Sequence, residues 1–72
     1  MNYTIILKAI HQIGNTGNVM EVLGWDASRF EEGSRIALEM DNLNYVKMLY
    51  SNFNKNLVVV ELTLLGIREA KK

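Results

Sequence analysis

The sequence predicts an α+β domain of three helices followed by a two-stranded β-hairpin and a short helical tail. Three observations carry that expectation. Up to Leu43, apolar side chains recur every three or four positions, which is the spacing of one face of a helix. From Tyr45 the period drops to two, and the run from Leu57 to Thr63 is rich in the β-branched residues that suit a pleated strand. After Thr63, the stretch Leu64 to Lys72 has the makings of a brief helix.

Each element has its own local reason. Asn2 can cap a first helix running from about Tyr3 to Ile13, with Tyr3, Ile6, Leu7, Ile10 and Ile13 at helical spacing. Gly14-Asn15-Thr16-Gly17-Asn18 holds only turn formers and is expected as a loop. Val19, Met20, Val22 and Leu23 make a second helix of barely two turns, capped by Asn18 or Thr16 and ended by a left-handed Gly24. Asp26 or Ser28 then caps the third and longest helix, whose stripe is Phe30, Ala37, Met40 and Leu43. In the hairpin a turn centred on Asn54 sets Val46, Met48 and Tyr50 against Val60, Val58 and Leu62 on one face, with Lys47 opposite Glu61 on the other.

Length and composition bound what such a chain can do. With 72 residues it forms one domain, 1–72, because a chain this short buries only roughly 60% of its unfolded surface. There is no cysteine, hence neither a disulfide framework nor a thiolate metal site, so stability must come from packing or self-association. Ile5, Ile6, Ile10 and Ile13 surround more than one face of the first helix, and a second copy is the expected cover for them. The run Ile5-Ile6-Leu7 is cut by Lys8 and His11 and is too short to span a membrane, which makes a cytoplasmic location the expectation.

Catalysis needs converging groups, and no nucleophile with a base, paired carboxylates or phosphate loop is visible, so an enzyme is not expected. Nor is any cofactor. His11 is the single histidine and lacks patterned partners, which argues for a helix-surface residue over a metal ligand. Trp25 reads as a core or interface residue. Gly33 inside the third helix costs about 1 kcal/mol relative to alanine, and close approach of the first helix or of a second subunit would offset it.

The order of helices and hairpin is that of a winged helix–turn–helix, and particular motifs carry the resemblance. Leu62-Thr63-Leu64-Leu65-Gly66-Ile67-Arg68-Glu69-Ala70 is similar to the L-T-x-x-G-x-x-x-A/L wing ending of MarR-like and PadR-like regulators. In those families the threonine caps the segment after the strand and the glycine allows a tight turn. Ser28 to Val46 resembles their recognition helix and its junction to the wing, with Asn42-Leu43-Asn44 where a glycine usually stands, and asparagine is the residue next most able to turn left-handed. Small phage proteins of the YjcQ-like type share the layout.

The resemblance implies a phage, plasmid or bacterial transcriptional regulator that binds double-stranded DNA as a homodimer. Its third helix would lie in the major groove, offering Ser28, Arg29, Glu32 and Arg35, while the wing offers Lys47, Asn52, Asn54, Lys55 and Asn56. Either arginine can present two donors to guanine. A two-fold dimer would set two such helices about 34 Å apart.

Charge weighs against this. Eight basic and eight acidic side chains cancel, and Asp26, Glu31, Glu32, Glu39 and Asp41 outnumber the two arginines of the third helix. Glu31 four residues before Arg35 is ordinary helix-surface pairing. The alternative is therefore a protein-interaction module on the same fold, such as a phage protein that binds or inhibits a host factor with acidic side chains in place of DNA phosphates. Phe53 at the hairpin tip, unusual in a solvated turn, points to a contact of some kind.

Overall fold

The computed structural model describes residues 2–72 as an α+β domain, with four helices and one three-stranded antiparallel sheet among the described residues. Helix α1, Thr4–Gln12, begins where Asn2 Oδ1 accepts the Thr4 N–H at 2.9 Å. It buries Ile6, Leu7 and Ile10. Two left-handed residues, Gly14 and Asn15, turn the chain out of it, and His11 Nδ1 sits 2.6 Å from Asn15 Oδ1 across that turn.

The next three residues differ from expectation. Thr16–Asn18 is a strand, β1, and not a loop, paired antiparallel with the far end of the chain through Thr16 opposite Glu61, Gly17 opposite Val60 and Asn18 opposite Val59. Nothing in Thr-Gly-Asn favours a strand by itself; the free edge of the valine-rich strand imposes it, because unpaired backbone groups there would otherwise lack partners. The expected two-stranded hairpin is thus a three-stranded sheet.

Helix α2, Val19–Leu23, is capped as its sequence predicts: Asn18 Oδ1 accepts the Met20 N–H and Gly24 closes the helix at φ +70°. A short 3₁₀ turn, Ala27–Arg29, capped by Asp26, leads into helix α3, Phe30–Asn42. Gly33 of α3 faces α2, where a methyl group would run into Met20 Sδ. The close approach that offsets this glycine is therefore by α2, neither by α1 nor by a second subunit.

Asn44, at φ +65°, makes the left-handed junction into β2, Val46–Asn52, which pairs with β3, Leu57–Leu62. Strand order is β1-β3-β2, so β3 is central, and Val58, Val60 and Leu62 line the core. Lys47 stands opposite Glu61 as the alternation predicts, and Met48 opposite Val60. An irregularity between Met48 and Tyr50 then shifts the register, putting Tyr50 opposite Val59 and leaving Leu49 and Tyr50 exposed. One inserted residue sends the following side chain to the other face, which is why the expected inward Tyr50 is turned out.

Thr63 Oγ1 accepts the Gly66 N–H at 3.0 Å and starts helix α4, Leu64–Ala70. Gly66 makes no left-handed turn. A Cβ there would collide with the Tyr45 carbonyl, so the glycine exists to let α4 sit directly on the start of β2. Leu7, Ile10, Val19, Met20, Met40, Val58 and Val60 are the largest of the fully buried side chains among the described residues, and on them these elements converge.

Candidate nucleic-acid interface

The side chains singled out on α3 and the hairpin divide into engaged and free. Arg29 lies over the Trp25 ring, 3.6 Å from its centroid, while its Nε and Nη2 donate to Glu32 Oε1 and Oε2 at 3.2 and 3.1 Å. That guanidinium holds the Glu32 carboxyl below the usual carboxylate range. Ser28 donates both its hydroxyl and its backbone N–H to Asp26 Oδ1, which lowers the Asp26 carboxyl in the same way. Ser28, Arg29 and Glu32 are therefore held by neighbours within one turn of chain.

Arg35 is exposed on the solvent face of α3. The i,i+4 pair with Glu31 is not formed: the ion pairs among the described residues are Arg29 with Glu32 and Glu69 with Lys72. Lys47, exposed on β2, likewise stands opposite Glu61 without an ion pair. The backbone N–H of Met48, on this edge strand, is bound instead by Asp41 Oδ2 of α3 at 3.0 Å.

The hairpin turn is not a free polar tip. Phe53 packs edge-on against Phe30 at the start of α3, centroids 5.2 Å apart and planes at 83°. Asn56, left-handed at φ +54°, donates from Nδ2 to the Trp25 carbonyl at 2.8 Å, and its own carbonyl accepts from Asn18 Nδ2 at 3.1 Å. Asn18 Oδ1 also accepts the Val58 N–H at 2.8 Å. One asparagine thus caps α2 and ties the hairpin to it. Asn52 shapes the turn by accepting the Lys55 N–H and donating to the Tyr50 hydroxyl, each at 3.1 Å. Asn54 and Lys55 are left exposed.

Trp25 accordingly belongs to a cluster with Arg29, near Phe30, Phe53 and Asn56, that seals the hairpin turn to the α2–α3 connection. Sequence reasoning found the cap at Asn18 and the oddness of Phe53 but not their distant partners, Asn56 and Val58 for the one and Phe30 for the other. These contacts join residues more than twenty positions apart, which periodicity does not register.

The four isoleucines expected at a dimer interface also divide. Ile6 and Ile10 belong to the protomer's own core, whereas Ile5 is 70% and Ile13 58% exposed. On another side of α1, α4 lies along it, with Thr4 Oγ1 donating to Glu69 Oε2 at 2.7 Å and Lys8 Nζ donating to the Lys72 carbonyl. Among the described residues no helix is long and apolar enough to cross a membrane. No protein-family model, curated protein or solved structure matches this chain.

Proposed function

We propose that this chain is a winged helix–turn–helix domain that contacts duplex DNA with the outer face of α3 and the hairpin turn. The observation that carries the reading is the seal between Phe53 and Phe30 and between Asn56 and Trp25, which places the hairpin turn beside the start of α3. The three residues 24–26, opening on a left-handed glycine, separate α2 from the turn into α3, as in helix–turn–helix units. On this reading Arg35 reaches a base edge or phosphate, Asn54 and Lys55 reach the backbone, and Lys47 adds charge from β2. Arg29 positions the turn by stacking on Trp25. A cytoplasmic setting and a regulatory role belong to the same reading.

The test is binding of a labelled random duplex at rising salt. Three free cations neutralising three phosphates give a log–log salt slope of about −3, and replacing Arg35 or Lys55 by alanine lowers that slope by about 1. Absence of binding at about 50 mM salt, where phosphate contacts are strongest, rules the reading out.

One observation favours a second reading, a protein-interaction module. Between Glu21 and Asp41 there are six carboxylates and two guanidinium groups, one of them bound to Glu32. The solvent face of α3 also carries Leu38, 53% exposed. Such a surface suits a basic partner with an apolar spot.

A further inference from the structure

The zero net charge conceals a separation. Residues 1–18 and 63–72, which hold α1, β1 and α4, carry Lys8, Arg68, Lys71 and Lys72 against Glu69, a net of +3 with His11 neutral, whereas residues 19–62 carry four cations against seven carboxylates, a net of −3. Glu69 is no free anion: its side chain is 17% exposed, lies 2.8 Å from Lys72 Nζ and accepts from Thr4, and its carboxyl is lowered accordingly. Lys8, Arg68 and Lys71 are exposed and form no ion pair among the described residues.

The same two helices carry the most exposed apolar side chains. Thr4 meets Glu69 and Lys8 meets the Lys72 carbonyl, so α1 and α4 run side by side in one direction. Ile6, Leu7 and Ile10 of α1 and Gly66 and Ala70 of α4 turn to the core. That leaves Ile5 and Lys8 on the outer side of α1 and Leu64, Leu65, Arg68 and Lys71 on that of α4. Leu64 at 79% and Ile5 at 70% are the two most exposed large apolar side chains among the described residues. Glu39 of α3 does reach α1, but it takes the hydroxyl of Tyr3, which is in helical line with Ile6, Leu7 and Ile10 on the buried side.

We propose that the outer face of α1 and α4 docks on an anionic lipid bilayer, with Ile5, Leu64 and Leu65 entering the headgroup layer and Lys8, Arg68 and Lys71 against the lipid phosphates. The net positive charge of this face selects an anionic partner, and its apolar side chains select a bilayer. A row of phosphates alone offers nothing to leucines set among the cations, whereas a membrane interface takes both. The chain lies on the surface and does not span it, in keeping with the absence of any spanning helix among the described residues. Attraction to such a surface rises about fivefold per cation, so three free cations give anionic over neutral lipid a preference of roughly a hundredfold. The proposal does not rest on the DNA reading, because Arg35, Asn54 and Lys55 belong to the other charge half.

The experiment is co-sedimentation of the full chain with vesicles of phosphatidylcholine, alone or with about 30% phosphatidylserine, at about 0.1 M salt, where the screening length is about 10 Å. The wild type should pellet with the anionic vesicles and stay in solution with the neutral ones, and about 1 M salt should release most of it. Arg68→Gln with Lys71→Gln should weaken partition about 25-fold. Leu64→Ser with Leu65→Ser, which leaves every charge in place, should weaken it by about tenfold or more. All four side chains are exposed, so both double variants should keep the circular dichroism of the wild type. Arg35→Ala, on α3, should pellet like the wild type. A wild type that stays in solution at about 1 mM anionic lipid overturns the proposal. So does equal pelleting with neutral vesicles, or a loss at Arg35→Ala as large as that of the Arg68 and Lys71 pair. A leucine double variant that binds like the wild type overturns it as well, since the face then answers to phosphate charge alone, as a DNA backbone would supply.

Discussion

The hairpin is fastened at both ends, and the two fastenings work differently. At its base α4 is pressed onto backbone, Gly66 against the Tyr45 carbonyl, with Thr63 Oγ1 also donating to the Asn44 carbonyl at 2.5 Å. At its tip the hold is made by side chains: Asn18, Asn56 and the Phe30–Phe53 pair. A backbone contact has no rotamer to relax into, whereas side chains can yield or rearrange. The base should therefore be the brittle end and the tip the tolerant one.

Gly66→Ala gives the largest expected effect. The added methyl must push α4 off β2 and uncover Ala70 and the α1 contact, a loss of about 3 kcal/mol in denaturant unfolding. Gly33→Ala is its control, since the obstacle there is the flexible Met20 side chain and alanine gains about 1 kcal/mol in helix propensity. The two changes should differ by about 2 kcal/mol or more; equal losses would dissolve the distinction between the ends. Asn18→Ala comes next: it removes the acceptor shared by Met20 N and Val58 N and should lower stability by about 1–2 kcal/mol. Phe53→Ala, at a half-exposed aromatic pair, should be mildest, about 0.5–1.5 kcal/mol, with altered hydrogen exchange confined to the turn.

The difference between the ends also marks what was legible in the sequence. Features governed by neighbours in the chain could be read: the cap at Asn18, the left-handed Gly24, the valine strand and the Lys47–Glu61 register, while the Thr63 cap and a left-handed asparagine before the strand came from the resemblance to winged-helix regulators. Features governed by distant partners could not. Strand β1 exists because β3 has an edge to cover, Gly66 is required by a carbonyl twenty-one residues earlier, and Ile6 and Ile10 are buried in the protomer's own core. The register failed at one point, the irregularity around Leu49, since a bulge leaves no mark in alternation until the partner strand is known.

Of the candidate site, residue types on α3 and the hairpin were legible but their states were not. Arg29 and Arg35 look equivalent in sequence, yet one is stacked and paired while the other is exposed with no ion pair among the described residues.

Acidification sharpens the comparison further, with a smaller effect. Asp26, Glu32 and Glu69 all titrate below their ordinary values, held by the Ser28 hydroxyl, the Arg29 guanidinium, and Lys72 with Thr4 respectively. A carboxylate lowered by folding contributes stability that is present above its ordinary value and is lost as pH falls through the lowered one. Thermal midpoints should therefore drop as pH falls below the carboxylate range. Asp26→Asn and Glu32→Gln, both beside the hairpin tip, should differ from the wild type at neutral pH and converge with it in acid. Divergence that grows on acidification would contradict the assignment.

The central claim is that α3 and the hairpin turn form one DNA-facing surface, and amide chemical-shift mapping during titration with a random duplex tests it most directly. The account predicts shifts that move together at Arg35, Asn54 and Lys55 and fade as salt is raised. Shifts confined to α1 and α4, or none at any ratio, would contradict it.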